Sequence, residues 1–194
     1  MKMGKRIISK EFFLRKSPFL APWLIGKILV RKIGRRKIYC LITETEAYEG
    51  KHDKASHAWR GKTQRNQVMF EKGGRWYVYF VYGNHWMLNV VSGPSNYPSA
   101  VLIRQGIVVD KNLKALKLLK GPGILTRFLK IDKSFNGKEI SLASNLWLEN
   151  WGIRVSQFIK KGKRIGIDYA GKFWSQRNWR FYLDLSSFLK EKSQ

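Results

Sequence analysis

Acidic side chains are scarce in this chain, 13 Asp and Glu against 38 Lys and Arg. The closely spaced Glu44 and Glu46, within Thr43-Glu44-Thr45-Glu46-Ala47-Tyr48, therefore need a reason to be there. On a strand, side chains alternate with period two, so both carboxylates project from one face. Crowding of like charges, or burial of either group, raises a carboxyl pKa, and a carboxyl so tuned can act as a general base. The competing reading is structural, with each acid paired to Lys or Arg on a neighbouring strand. An acid standing on a polyanion-binding face repels its ligand, which favours chemistry over affinity as its purpose. His52, Asp53 and His57 are also close in sequence, but their spacing fits no zinc pattern and no Cys lies near. A nucleophile elbow and a Walker-type glycine loop are both missing. The expectation is chemistry without metal or cofactor.

The net charge of +25 points to a polyanionic partner, nucleic acid before any other. Eight Trp, eight Tyr and eleven Phe can fill a core, and those interleaved with cations can also stack on bases. Residues 75–82 and 85–92 are strongly β-prone around Gly83-Asn84, which reads as a hairpin. Its first strand places Tyr77, Tyr79 and Val81 on one face and Trp76, Val78, Phe80 and Tyr82 on the other. Tyr82 then falls at the tip. An aromatic there can wedge between base steps and offset the unstacking of an extruded nucleotide, or can simply pack beside the turn.

The elements that must position these residues follow from patterning. Residues 18–25 suit a helix ended by Gly26, and residues 27–33 and 37–46 suit two strands about Gly34-Arg35-Arg36. Residues 48–74 are polar and Gly-rich, a long loop of the kind that is often functional. Residues 100–109 read as a buried strand and 111–120 as a lysine-bearing amphipathic helix; Gly121-Pro122-Gly123 opens another helix. Later strands are expected near 146–151, 154–159 and 180–185. Strand-rich order without βαβ alternation implies an α+β fold. We expect one domain over 1–194, a curved, mainly antiparallel sheet flanked by helices, with a protruding hairpin. The single Cys40 can form no intramolecular disulfide, and the basic N-terminus leads into no apolar span. An intracellular location with DNA, away from membranes, is the expectation.

Six ordered blocks carry a family resemblance: Glu44-Thr45-Glu46-Ala47-Tyr48, residues 53–57 (Asp-Lys-Ala-Ser-His), 65–70 (Arg-Asn-Gln-Val-Met-Phe), 77–83 (Tyr-Val-Tyr-Phe-Val-Tyr-Gly), 89–91 (Asn-Val-Val) and 100–104 (Ala-Val-Leu-Ile-Arg). In these the chain resembles the single-domain alkyladenine (3-methyladenine) DNA glycosylases. The resemblance implies a monofunctional enzyme, acting as a monomer on double-stranded DNA that contains damaged purines. It would flip an alkylated or deaminated purine from the duplex and hydrolyse the N-glycosidic bond with an activated water. Glu46 would be the base that activates the water. Tyr48, His57 and Tyr79 would form the aromatic pocket for the base, and Asn89 would crowd a purine 2-amino group. Tyr82 would remain in the duplex in place of the extruded nucleotide, and Arg104 would hold the sugar-phosphate or the water. The alternative is a non-catalytic binder of distorted DNA, built from charge, wedge and stacking. The chain departs from the family pattern at Asn84, at Ile124-Leu125-Thr126 and at Gly73-Gly74.

If Tyr79 and Asn89 both face the base, the hairpin connection must hold an odd number of residues, since a shift of one reverses the face. Gly83-Asn84-His85 is one such connection and would put Tyr79 opposite Asn89.

Overall fold

In the computed structural model, which describes residues 6–81 and 83–192, ten strands form one sheet, and every recorded pairing is antiparallel. The strands are β1 (Arg6–Ile7), β2 (Ile28–Ile33), β3 (Arg36–Glu49), β4 (Trp76–Val81), β5 (His85–Val91), β6 (Ser99–Val109), β7 (Ala115–Lys120), β8 (Leu146–Asn150), β9 (Ile159–Gly162) and β10 (Arg180–Leu183). Four helices accompany them: α1 (Ser17–Leu24), α2 (Pro122–Phe128), α3 (Lys172–Ser175) and α4 (Leu185–Lys192). The main path runs β1-β8-β2-β3-β6-β5-β4, with β10 beside β3, β9 beyond β10, and β7 beside β6. This is the α+β class that the patterning implied. β3 and β6, the long strands rich in β-branched residues, hold the centre.

The two faces of the sheet are covered differently. On one, α1 lies over β3, and the Thr45 hydroxyl donates to the Ala21 carbonyl at 2.8 Å. The main core of Leu20, Leu24, Val78, Leu88, Val90 and Ile103 gathers on this side. On the other face, Tyr77, Val91 and Ala100 pack against Ala58, Val68, Met69 and Phe70. The polar stretch between β3 and β4 supplies these last four, so it forms a second layer rather than a free loop. Asp53 to Trp59 adopts turns there, and Gln67–Phe70 forms a 3-10 turn.

The hairpin of β4 and β5 has an odd connection, residues 82–84, with Val81 paired to His85. Gly83 takes φ +66°, the left-handed region that such a tight return needs and glycine accepts without strain. Tyr79 and Asn89 do share a face. The register lies two residues from the expected one, however: Tyr79 faces Met87, and Asn89 faces Tyr77.

Two expectations fail. Residues 111–120 do not form a helix; Ala115–Lys120 is instead β7, paired along β6 from Gln105 to Val109. Ala, Leu and Lys favour a helix locally, but the free edge of β6 offers a ladder, and tertiary pairing overrides weak propensity. The strand expected over 154–159 is displaced to β9, after a 3-10 turn at Ser156–Phe158. Val155 there turns inward against Gly26, where an added Cβ would collide with its methyl groups.

Cys40 is fully buried, and burial pushes its thiol pKa up to about 12, so it behaves as a packed hydrophobe. On the neighbouring strand, Gly106, paired with Ile42, leaves no room for a side chain: a Cβ would overlap Cys40 Sγ and stand 2.8 Å from the Leu41 carbonyl oxygen. Gly106→Ala should therefore cost about 1–3 kcal/mol, the usual penalty of overpacking. The check is the denaturation midpoint in urea; an unchanged midpoint would show that the β3/β6 ladder gives way freely.

Candidate active site

Strand register assembles the site. Tyr77 pairs with Asn89, Asn89 with Leu102, and Leu102 with Glu46, so these four form one cross-strand row. Along each strand the row extends by twos, to Tyr79 on β4, Met87 on β5, Ala100 and Arg104 on β6, and Tyr48 on β3. All of these except Glu46 line a cavity of about 360 Å³. Three segments complete its walls: Ala55, His57 and Met69 from the layer between β3 and β4, Pro122 at the start of α2, and Ile165 to Ile167 with Tyr169 from the chain after β9; Val81 at the end of β4 lines it too.

Glu46 lies one side-chain layer behind the cavity and is fully buried. Its Oε2 accepts from the Tyr48 hydroxyl at 2.9 Å and from the Arg104 guanidinium at 3.2 Å. Its Oε1 accepts from the Ile165 backbone N–H at 2.8 Å. All three donors belong to residues that line the cavity. Burial raises the Glu46 pKa above the ordinary carboxyl value, with Arg104, the Ile165 N–H, Tyr48 and Arg164 pulling the other way. Desolvation, rather than crowding by Glu44, is thus the leading cause. Glu44 does what the structural reading supposed: its carboxylate meets Arg104 at 3.4 Å and Arg180 at 3.5 Å. Both acids reach Arg104, as their shared face required.

The rings come together on two sides. His57 and Tyr79 meet edge to face, centroids 4.5 Å apart, and Tyr77 lies 5.1 Å from Tyr79. Nδ1 of His57 and the Tyr77 hydroxyl share a 2.9 Å hydrogen bond. Burial, helped by Arg65, lowers the His57 pKa to about 4, so its imidazole is neutral near pH 7. Tyr48 stands on β3, across β6 and β5 from this cluster. The Asn89 amide nitrogen donates to the carbonyl oxygens of Tyr77 at 3.1 Å and Met87 at 3.4 Å, which fixes its orientation. Tyr82, the expected wedge, lies outside the described residues.

Across such a cavity the comparisons with known proteins are decisive. The family model for methylpurine-DNA glycosylase matches residues 11–187. The chain belongs to the methylpurine-DNA glycosylase family. It is 43% identical over 187 residues to a Chlorobium phaeobacteroides protein named provisionally as a 3-methyladenine DNA glycosylase, covering 91% of this chain and 93% of the relative. Relatives of the same provisional name in Psychrobacter cryohalolentis and Borreliella burgdorferi are 41% and 39% identical. They cover 88% and 95% of this chain, and 90% and 100% of their own lengths. A DNA glycosylase works on DNA, the partner that the cationic surface suits. Among the described residues no helix is long and apolar enough to cross a membrane.

Sequence reasoning overlooked several residues of this glycosylase's cavity. Tyr77 shares the face of Tyr79 by simple alternation and could have been included. Ile165 and Tyr169 carried no signal, nor did Arg164, which is buried outside the lining, because only the tertiary fold brings residues after β9 to β3. Arg164 forms a fully buried ion pair with Asp53, its Nη2 donating to Oδ1 at 2.9 Å. Its Nη1 also donates to the Ala47 carbonyl at 2.9 Å, and its guanidinium lies 4.9 Å from the Tyr48 ring centroid. Asp53, weighed with His52 and His57 as a metal-like cluster, is thus committed to Arg164.

Proposed function

We propose that this glycosylase accepts an alkylated or deaminated purine, everted from double-stranded DNA, into the ring-lined cavity. There it hydrolyses the N-glycosidic bond with a water activated by Glu46, leaving an abasic site. The observation that carries the reading is a buried carboxylate with a raised pKa, hydrogen-bonded by three residues that line a cavity of purine-accepting size. The reacting water takes a place bordered by the Tyr48 hydroxyl and the Arg104 guanidinium, where a small shift of either opens Oε2 to it. Glu46 receives the water's proton as oxygen attacks the anomeric carbon and the base departs with the bonding electrons. The carboxylate also favours the positive charge that develops on the sugar.

Tyr48, His57 and Tyr79 hold the base. Ring faces attract a cationic N3- or N7-alkylated purine by roughly 0.5–2 kcal/mol, and a neutral His57 adds no repulsion. Asn89, with its amide locked to two carbonyls, is a fixed obstacle to a purine 2-amino group. Arg104, which borders the cavity and salt-bridges Glu46, positions the water or the sugar-phosphate. Tyr82 fills the gap left in the duplex. The enzyme acts as a monomer, without cofactor.

Eversion is testable with a duplex carrying 1,N6-ethenoadenine, whose fluorescence falls when it stacks on aromatic rings. Emission, already low while the base is stacked in the free duplex, should stay low when the Glu46→Gln protein takes the base onto its own rings, and should rise when Tyr79→Ala is added to that variant and removes one of them, while duplex binding persists. Unquenched emission with the Glu46→Gln protein would argue against eversion into this cavity.

The pH dependence has a definite sign. Glu46 must be ionised to take a proton, and its pKa is raised, so single-turnover excision should fall as pH drops, the fall setting in above the ordinary carboxyl range. His57 at about 4 contributes no further limb between pH 5 and 8. A rate flat from pH 8 down to 4 would contradict the assignment of Glu46.

A further inference from the structure

Behind the sheet, a second cavity of about 210 Å³ opens between the end of α1 and the chain around residues 153–159. Thr45 fixes the side: its hydroxyl reaches α1, while Glu46, the next residue on the strand, points to the opposite face. This cavity shares no lining residue with the first. Its walls are largely apolar, with Trp23, Ile25, Ile153 and Val155 among them.

Lys27 also lines it and is only 9% exposed. Its ammonium lies 4.3 Å from the Trp23 ring centroid, and among the described residues no carboxylate or carbonyl accepts a hydrogen bond from it. The stem is packed away, but the Nζ keeps contact with solvent through the cavity mouth, so the charge, met by one ring face alone, is open to a ligand there. Burial alone pushes the Lys27 pKa below the ordinary lysine value. Arg154, Ser156 and Gln157 stand at the exposed side of the same cavity; among the described residues no acid is in its lining, and Glu191 reaches the rim only by accepting from the Gln157 amide at 3.1 Å. Two cations, two neutral polar groups and an aliphatic wall define the complement: negative at one end and apolar at the other.

We propose that this cavity binds a small oxyanion with a short apolar body, such as an aliphatic carboxylate. The charged end meets Lys27 and Arg154, and the chain lies against Trp23 and Val155. The ligand is a free small molecule rather than the everted nucleotide, which belongs to the other face of the sheet.

The probe is butyrate, titrated into the full chain at constant ionic strength beside acetate and inorganic phosphate, with NMR observation of the Lys27 ammonium and the Trp23 indole. Butyrate should shift both signals saturably and raise the titration midpoint of Lys27. Its two added methylenes should give about tenfold tighter binding than acetate. Phosphate, without an apolar body, should bind no better than acetate. Lys27→Met, which keeps the wall but not the charge, should abolish the saturable shift of Trp23 and leave base excision unchanged. Arg154→Ala, a surface change, should weaken butyrate several-fold and serves as the test should Lys27→Met fail to fold. Butyrate leaving both signals unmoved, or binding equally in the variants, would overturn the site; phosphate outcompeting butyrate would overturn the apolar half of the ligand.

Discussion

Glu46→Gln lowers single-turnover base excision by about 10²- to 10⁴-fold, the range that removal of a positioned general base produces. The amide keeps the shape of the side chain: its oxygen can still accept from the Ile165 N–H, its NH2 can donate to the Tyr48 hydroxyl, and Arg104 keeps Glu44, so the cavity should survive the change. It cannot take a proton from water. Duplex affinity should hold or rise slightly, since binding is dominated by phosphate contacts and an acid has been removed. The comparison separates an enzyme from a non-catalytic binder of distorted DNA, in which Glu46 would have no work to do. Excision at the wild-type rate by Glu46→Gln would move the base elsewhere, and Glu44 would then be examined by Glu44→Gln, which the present assignment expects to be far milder.

Removing either partner of the buried Arg164–Asp53 pair has the second large effect. Both side chains are fully buried. Asp53→Ala leaves an uncompensated guanidinium, and Arg164→Met an uncompensated carboxylate, each costing about 3–5 kcal/mol. Against a total stability of roughly 5–15 kcal/mol that is a large share. At about 2–4 °C per kcal/mol for a chain of this size, Tm should fall by roughly 6–20 °C. Excision should suffer too, because Arg164 precedes Ile165, whose N–H holds Glu46, and backs the Tyr48 ring. Among the described residues the Nε of Arg164 is itself buried without a partner, so the pair is not an optimised stabiliser. Replacing both residues should therefore be milder than the sum of the single changes. Single variants that melt within a degree or two of the wild type would contradict this account of what holds the Ile165 segment.

Much of this was legible from residue types and spacing. The Glu44/Glu46 alternation placed both acids on the face that Arg104 serves, and the parity argument required an odd connection between β4 and β5. That argument fixed the face but not the partner, because 82–84 and 83–85 satisfy it equally and differ by two residues in register. The helix expected over 111–120 failed because Leu and Lys support either state, and a free strand edge decided it. Residues 164–169 were silent for another reason: their role comes from contacts with Ala47, Asp53 and Glu46 more than a hundred positions away in the chain. Lys27 likewise reads as an ordinary surface lysine until Val155 and Trp23 close around it.

The most direct test of the central claim is release of free base by the wild-type protein from end-labelled duplexes carrying single 7-methylguanine, 3-methyladenine or hypoxanthine residues. Free modified base should appear under single-turnover conditions, with the sugar-phosphate strand intact until alkali cleaves it at the abasic position. Tight binding of these duplexes without release of any base would contradict the claim that Glu46 and the cavity beside it form a hydrolytic site.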